Sequence, residues 1–318
     1  MIEAIKQPDL KTPFPWFGGK SRVAAEVWKR FGVVHAYREP FAGGLAVLLK
    51  NPHPAKNEVI TDVNHYIVNF WRAVRDKEQE VLGHLNLIRS EADLFAIHRY
   101  LSVGPEVEGF KTGIETDPEF SNAKFAAWWV YGQSIWIGHE WCNSKSYHFK
   151  KRQHFFSRGV FTDGGIGERI SNLKERLKTV QVIHGDWKRG VSSDSALALR
   201  RNNDLYTAVF LDPPYPTVER AELYASDIDD KTEQIRQEVF EWCLKRGDDP
   251  RIKIAVCGFE SDYAELEQYG WEKFQWTTPG GFAHMGRKDS RGMKNRSRET
   301  IWFNPSCSVR EDVSLLIN

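Results

Sequence analysis

The 318-residue sequence contains no apolar run near the roughly 18 residues needed to cross a bilayer, and candidates such as Leu45–Leu49 and Ala208–Leu211 are far shorter. A membrane-spanning chain is excluded. Charge of one sign is also missing: 44 Lys+Arg stand against 43 Asp+Glu, a net +1 with neutral histidines, so this is no histone-like polycation. Cysteine is scarce. Cys142, Cys243, Cys257 and Cys307 lie far apart with no CxxC pair, which argues against a disulfide framework and a structural zinc site and reads as four free thiols. His35, His65, His139 and His184 are too dispersed to build a ligand triad, and no metal is expected. Met1 to Lys11 carries scattered charge and no apolar core of a signal peptide, so the expected location is the cytoplasm. Internal repeats and low-complexity tracts are absent as well.

What is present is an ordinary globular composition, 41% hydrophobic and 27% charged, with an aromatic excess that includes 12 Trp. At about 150 residues per domain the length suggests two domains, or one with a large insertion. A glycine turn at Phe17-Gly18-Gly19 precedes a helical stretch, Val23 to Phe31, whose apolar residues recur every three to four positions. Val33 to Glu39 reads as a strand, Phe41-Ala42-Gly43-Gly44 as a second glycine turn and Leu45 to Leu49 as the helix after it. Glu58 to Thr61 is the next strand, followed by a helix from Tyr66 through Val74. Repeated strand–turn–helix units predict a parallel sheet with helical crossovers.

From about Glu91 to Ile170 this rhythm stops. Helical patterning covers Ala92–Tyr100 and Ala123–Ile137, with a polar loop expected between them, and then comes a basic run interleaved with Tyr147, Phe149, Phe155 and Phe156. The rhythm resumes with a helix over Ile170–Leu177, strands at Val180–His184 and Tyr206–Leu211, a helix near Lys231–Lys245, and strands at Ile252–Cys257 and Thr300–Phe303. The expected organisation is a catalytic domain over residues 1–90 and 171–318, interrupted by an insertion at 91–170.

The sharpest chemical signal is Asp212-Pro213-Pro214-Tyr215, delivered by the apolar run Val209-Phe210-Leu211 to the carboxyl edge of the sheet, where open α/β folds bind ligands. A carboxylate can accept one hydrogen of an exocyclic amine, a proline backbone presents carbonyls to the other, and a tyrosine ring can stack on the base. The bland alternative is a proline-stiffened turn. Glu39-Pro40-Phe41-Ala42-Gly43-Gly44 lets backbone approach a ligand closely but lacks the GxGxxG spacing. Asp62, about twenty residues on at the end of the next strand, can accept ribose hydroxyls, and the pair favours an adenosine cofactor.

Taken in order, these segments resemble the alpha-group DNA adenine-N6 methyltransferases, the family of the bacterial and phage DNA adenine methylases. The resemblance rests on Trp16-Phe17-Gly18-Gly19-Lys20, then Glu39-Pro40-Phe41-Ala42-Gly43, then Asp62 with Asn64, the insertion, and finally Asp212 to Tyr215. It implies a Rossmann-like α/β core dependent on S-adenosylmethionine, with a mainly helical target-recognition insertion. It also implies methyl transfer to adenine N6 in double-stranded DNA by base flipping, in a bacterial or phage-infected cell and in the setting of restriction–modification. Trp16, Lys20, Glu39, Phe41, Gly43, Asp62, Asp186, Trp187 and Asp212 correspond to cofactor contacts, with Trp187 against the adenine, and Asp212, Pro213, Pro214 and Tyr215 to the catalytic tetrapeptide. Two departures stand out: Leu45 occupies the position of the second glycine in the family's EPFxGxG turn, and Trp136 to Trp141 does not match the family's asparagine-rich turn.

For DNA contact the sequence offers two basic clusters: Lys145, Lys150, Lys151, Arg152 and Arg158 in the insertion, and Arg287 to Arg298, including Arg291, Lys294 and Arg296. A solvated face is the default for such runs. Only Asp289 and Glu299 oppose the second cluster. In the Trp-rich stretch, helical spacing of Phe125, Trp128, Trp129 and Ile135 predicts core, leaving Trp141 as a candidate DNA contact. An RNA adenine methyltransferase, a cytosine-N4 enzyme and a catalytically silent DNA-binding protein remain open alternatives. The oligomeric state is not legible.

Overall fold

The computed structural model describes residues 10–16, 19–86, 91–135, 141–142, 165–199, 205–215, 227–276 and 299–307. The described strands form one seven-stranded sheet: β1 Ala36–Glu39, β2 Asn57–Asp62, β3 Val180–His184, β4 Thr207–Leu211, β5 Ile252–Phe259, β6 Glu272–Gln275 and β7 Glu299–Phe303. Their spatial order is β3-β2-β1-β4-β5-β7-β6. The first five are parallel and β7 runs antiparallel between β5 and β6. Strand order reverses between β1 and β4, so the crevice beyond their carboxyl ends is where such a sheet takes a ligand.

Strand β4 is buried along its whole length, as a central parallel strand must be. By contrast β6, with the sequence Glu-Lys-Phe-Gln, is an exposed edge that sequence patterning missed; its charges protect an unpaired flank. The first strand begins at Ala36 rather than Val33, which is 69% exposed. Helix α1 (Ala24–Phe31) buries Ala24, Val27, Trp28 and Phe31, the stripe its spacing predicts. Helix α2 (His65–Asp76) starts where the Asn64 side chain accepts the Tyr66 and Ile67 amide hydrogens, directly after β2.

The expected helix over Leu45–Leu49 is only a 3-10 turn, Leu48–Lys50, because the chain turns sharply before it: Gly43 and Leu45 both have positive φ, 44° and 54°. Leu45 thus adopts the left-handed backbone that suits the glycine it replaces, while its side chain is fully buried. Burial of a leucine, worth about 1.5–3 kcal/mol, offsets a conformational cost of about 1–2 kcal/mol.

Within residues 91–170, α4 (Glu91–Val103) and α6 (Ala123–Ile135) lie where helices were expected. The intervening loop instead contains α5 (Glu106–Thr116), whose only buried apolar side chains, Phe110 and Ile114, gave too weak a pattern. A further helix, α3 (Glu78–Asn86), precedes α4, and α7 (Ile166–Leu177) runs across residue 170, where the insertion was expected to end. Helix α6 packs on α2 and α3, and helices α4 to α6 share the hydrophobic core on one face of the sheet. Polar ties fix the junction. Asn69 of α2 exchanges hydrogen bonds with the Asn122 backbone, and the Arg72 guanidinium donates to the carbonyls of Asp117, Phe120 and Val182. On the opposite face α8 (Asp227–Arg246) contributes Val239 and Cys243 to a second core beside Val209, Ile254 and Trp302.

Trp129 and Phe125 are core residues, as their spacing predicts. Trp141 is also buried, 4% exposed, with its ring 5.0 Å from that of His98 and pressed onto Gly132 of α6, where even a Cβ would overlap it. The structure therefore corrects its reading as a DNA contact.

Candidate active site

The carboxyl ends of β1, β2 and β4 bring the early and late motifs together. Lys20 lies just ahead of α1 and is 4% exposed. Its ammonium meets Asp212 Oδ1 at 2.9 Å and sits 5.2 Å from the centre of the Tyr215 ring. The Tyr215 hydroxyl donates to the same Asp212 oxygen at 3.0 Å. Both donors therefore converge on Oδ1, and among the described residues no donor meets Oδ2. The Asp212 side chain keeps 23% exposure, whereas Tyr215 is 9% exposed with its ring edge-on to Phe259 at 5.0 Å.

Electrostatics hold Lys20 and Tyr215 each in one protonation state. Burial alone would lower the Lys20 pKa, but Asp212, aided by Cys257 and Glu299, raises it above the ordinary lysine value, so the ammonium stays charged. Burial, with Asp212 adding to it, raises Tyr215 well above the usual phenol range, which keeps its hydroxyl a donor.

Beside it the Glu39 to Gly44 loop is pinned from below. Asp62 Oδ2 accepts the Gly43 amide hydrogen at 3.0 Å and Oδ1 that of Asn64 at 2.8 Å, while the Gly43 carbonyl accepts from the Trp71 indole at 3.0 Å. Trp16 lies against Gly43 so closely that a Cβ there would stand 2.3 Å from its Nε1. Glu39 is buried beneath the loop, where it accepts the Tyr37 hydroxyl at 2.9 Å and the Leu48 amide at 3.1 Å. Burial pushes its carboxyl up to about 8 against those two bonds, leaving it largely neutral at pH 7.

Phe41 and Trp187 meet as stacked rings, 5.8 Å apart and 24° from parallel. Trp187 is 3% exposed and backed by Trp242, so Phe41 is the ring nearer to solvent, and Trp187 braces it. Asp186 caps the short turn Trp187–Gly190, accepting the Lys188 amide at 2.8 Å. Pro213 is buried and Pro214 exposed. Lys145, Lys150, Lys151, Arg152, Arg158, Arg291, Lys294 and Arg296, and also Phe17 and Gly18, lie outside the described residues. Glu299, Cys257 and Phe259, which sequence reading did not associate with the site, are brought beside it by the β5–β7 pairing. No group of three or more metal-ligating side chains occurs among the described residues, nor does a helix there have the length and apolarity to cross a membrane.

A mainly parallel α/β sheet with acidic and aromatic side chains gathered at its switch point is consistent with a methyltransferase fold. The family model for D12 class N6 adenine-specific DNA methyltransferases matches residues 16–250, and the chain belongs to that family. It is an enzyme that methylates adenine N6 in DNA, which places it apart from the RNA, cytosine-N4 and silent-binder alternatives. No curated protein matches the chain.

Proposed function

We propose that the crevice between β1 and β4 binds S-adenosylmethionine along the Glu39–Gly44 loop and methylates an adenine flipped out of the duplex onto Asp212-Pro213-Pro214-Tyr215. The carrying observation is the asymmetry of Asp212, whose Oδ1 takes two protein donors while Oδ2 takes none among the described residues. The cofactor supplies an activated methyl group on a sulfonium. The close approach that only glycine permits at Gly43 supports a cradle for such a ligand, and Asp62 supports a grip on its ribose. Trp16 and Lys20 border its methionine part, Glu39 shapes the loop from beneath, and Phe41, braced by Asp186 and Trp187, walls the adenosine side.

Adenine N6 is a poor nucleophile because its lone pair is delocalised into the ring. Asp212 Oδ2 accepts one N6 hydrogen and the Pro213 carbonyl the other, drawing the nitrogen toward tetrahedral geometry with its lone pair in line. With the cofactor bound, the N6–C bond would form as the sulfonium C–S bond breaks and leaves a neutral thioether, and the surplus N6 proton would depart along its hydrogen bond to Asp212. Alignment and exclusion of water supply most of the rate, and no strong general base is required. Tyr215 holds Asp212 by its hydroxyl and offers its ring to the flipped base; extrusion costs a few kcal/mol. Residues 91–170 form the target-recognition insertion on the catalytic core of 1–90 and 171–318, with helices α4 to α6 as its base. The basic clusters around Lys150 and Lys294 grip phosphates.

Labelled methyl transfer from S-adenosylmethionine to unmethylated duplex DNA and to RNA, in parallel, tests this reading. N6-methyladenine should accumulate in the DNA at one repeated sequence and vanish with Asp212→Ala while the fold stays cooperative. Substantial transfer by that variant would overturn the role of Asp212.

A further inference from the structure

Glu299 opens β7 and lies directly opposite Phe259 in the antiparallel ladder, so their side chains leave the sheet on the same face. That is the face on which the Phe259 ring meets Tyr215, and Tyr215 in turn meets Lys20 and Asp212. A second carboxylate thus leaves the sheet on the face that carries the Lys20–Asp212 pair, within electrostatic reach of both charges. The titratable and charged groups facing it are Lys20 from the segment before α1, Asp212 and Tyr215 after β4, and Cys257 on β5.

We propose that Glu299 is a positioning residue for the transfer step: once ionised, it shares the Lys20 ammonium, so that Asp212 retains the electron density with which Oδ2 accepts the target amine. The proposal rests on the assignment of Asp212 given above. A cation held by one carboxylate alone withdraws most from that carboxylate, and a second anion in the same partly dry space divides the interaction. If Glu299 served only to compensate the burial of Lys20, its titration would leave the chemical step unchanged.

Burial raises the Glu299 pKa; Lys20 pulls it down and Asp212 pushes it up, with a net rise. The carboxyl therefore ionises at a higher pH than an ordinary glutamate; below that elevated value Lys20 belongs to Asp212 alone, and above it Glu299 is charged. The single-turnover rate should climb along the same limb. Glu299→Gln fixes the neutral form. With enzyme in excess over unmethylated duplex DNA and saturating S-adenosylmethionine, this variant should be slower by about tenfold on the plateau, the equivalent of one pKa unit, and should lack the limb. Its equilibrium affinity for the cofactor should equal that of the wild type. Glu299→Asp, which keeps the charge on a shorter stem, should restore the limb and part of the rate.

A Glu299→Gln profile that follows the wild-type limb overturns the proposal, as does loss of cofactor binding in both variants, which would make Glu299 a structural residue. Asp212→Ala separates the two readings: residual transfer there refutes the role of Asp212, whereas an inactive Asp212→Ala beside an unaltered Glu299→Gln limb refutes only the role of Glu299.

Discussion

Replacing Gly43 by alanine tests the packing on which the cofactor cradle depends. The new Cβ would lie 2.3 Å from Trp16 Nε1 and 3.0 Å from two further indole carbons, distances at which the ring must move. The ring has little room to retreat, because Phe14 packs edge-on against it at 5.9 Å and is itself lodged between Phe70 and Trp129. Gly43 also has φ of 44°, which an alanine adopts at a cost of about 1–2 kcal/mol, and overpacking adds about 1–3 kcal/mol. The total, about 2–5 kcal/mol, corresponds to a Tm lower by about 4–10 °C at about 2 °C per kcal/mol for a chain of this size. Displacing Trp16 should also weaken S-adenosylmethionine by at least about tenfold, or about 1.4 kcal/mol. Thermal unfolding and calorimetric titration measure the two effects separately. Gly83→Ala is the internal control: it is an exposed position in α3 with nothing within 4 Å of the new Cβ, so it should stabilise by up to about 1 kcal/mol. A Gly43→Ala protein with Tm within about 1 °C and cofactor affinity within about twofold of the wild type would refute the reasoning.

Asp62→Ala should raise the apparent KM for the cofactor by about 10–100-fold, the worth of charge-assisted hydrogen bonds to ribose, whereas a lower Tm with an unaltered KM would reduce Asp62 to its ties with Gly43 and Asn64. Neutralising Lys150, Lys151 and Arg152 together should lessen the slope of log affinity for DNA against log salt by up to about 3, and an unaltered slope would return them to solvated surface.

Fold class and the chemical vocabulary of the site are legible in the sequence. Strand–turn–helix repeats, the buried Val209-Phe210-Leu211 run into Asp212, and Asp62 at the end of β2 are local signals, set by side-chain periodicity and turn chemistry within a few residues. Helix α5 and strand β6 escaped because their patterns are weak: one buries only two apolar side chains, and the other is a charged edge.

Which partners those residues meet was decided by tertiary structure. Lys20 reaches Asp212 because β1 and β4 are neighbours, an adjacency set by the reversal of strand order rather than by any local pattern. Trp187 looks like a ligand platform in sequence, yet stacking on Phe41 buries it and leaves Phe41 nearer to solvent. Leu45 breaks the glycine pattern of the turn but takes the left-handed backbone, since a fully buried side chain offsets the local cost. Glu299 reads in sequence as one acid beside a basic run; only the register of β7 on β5, opposite Phe259, turns it toward Lys20 and Asp212. Local pattern depends on spacing along the chain, whereas a buried charge finds its partner through strand order and register, which many distant contacts set together.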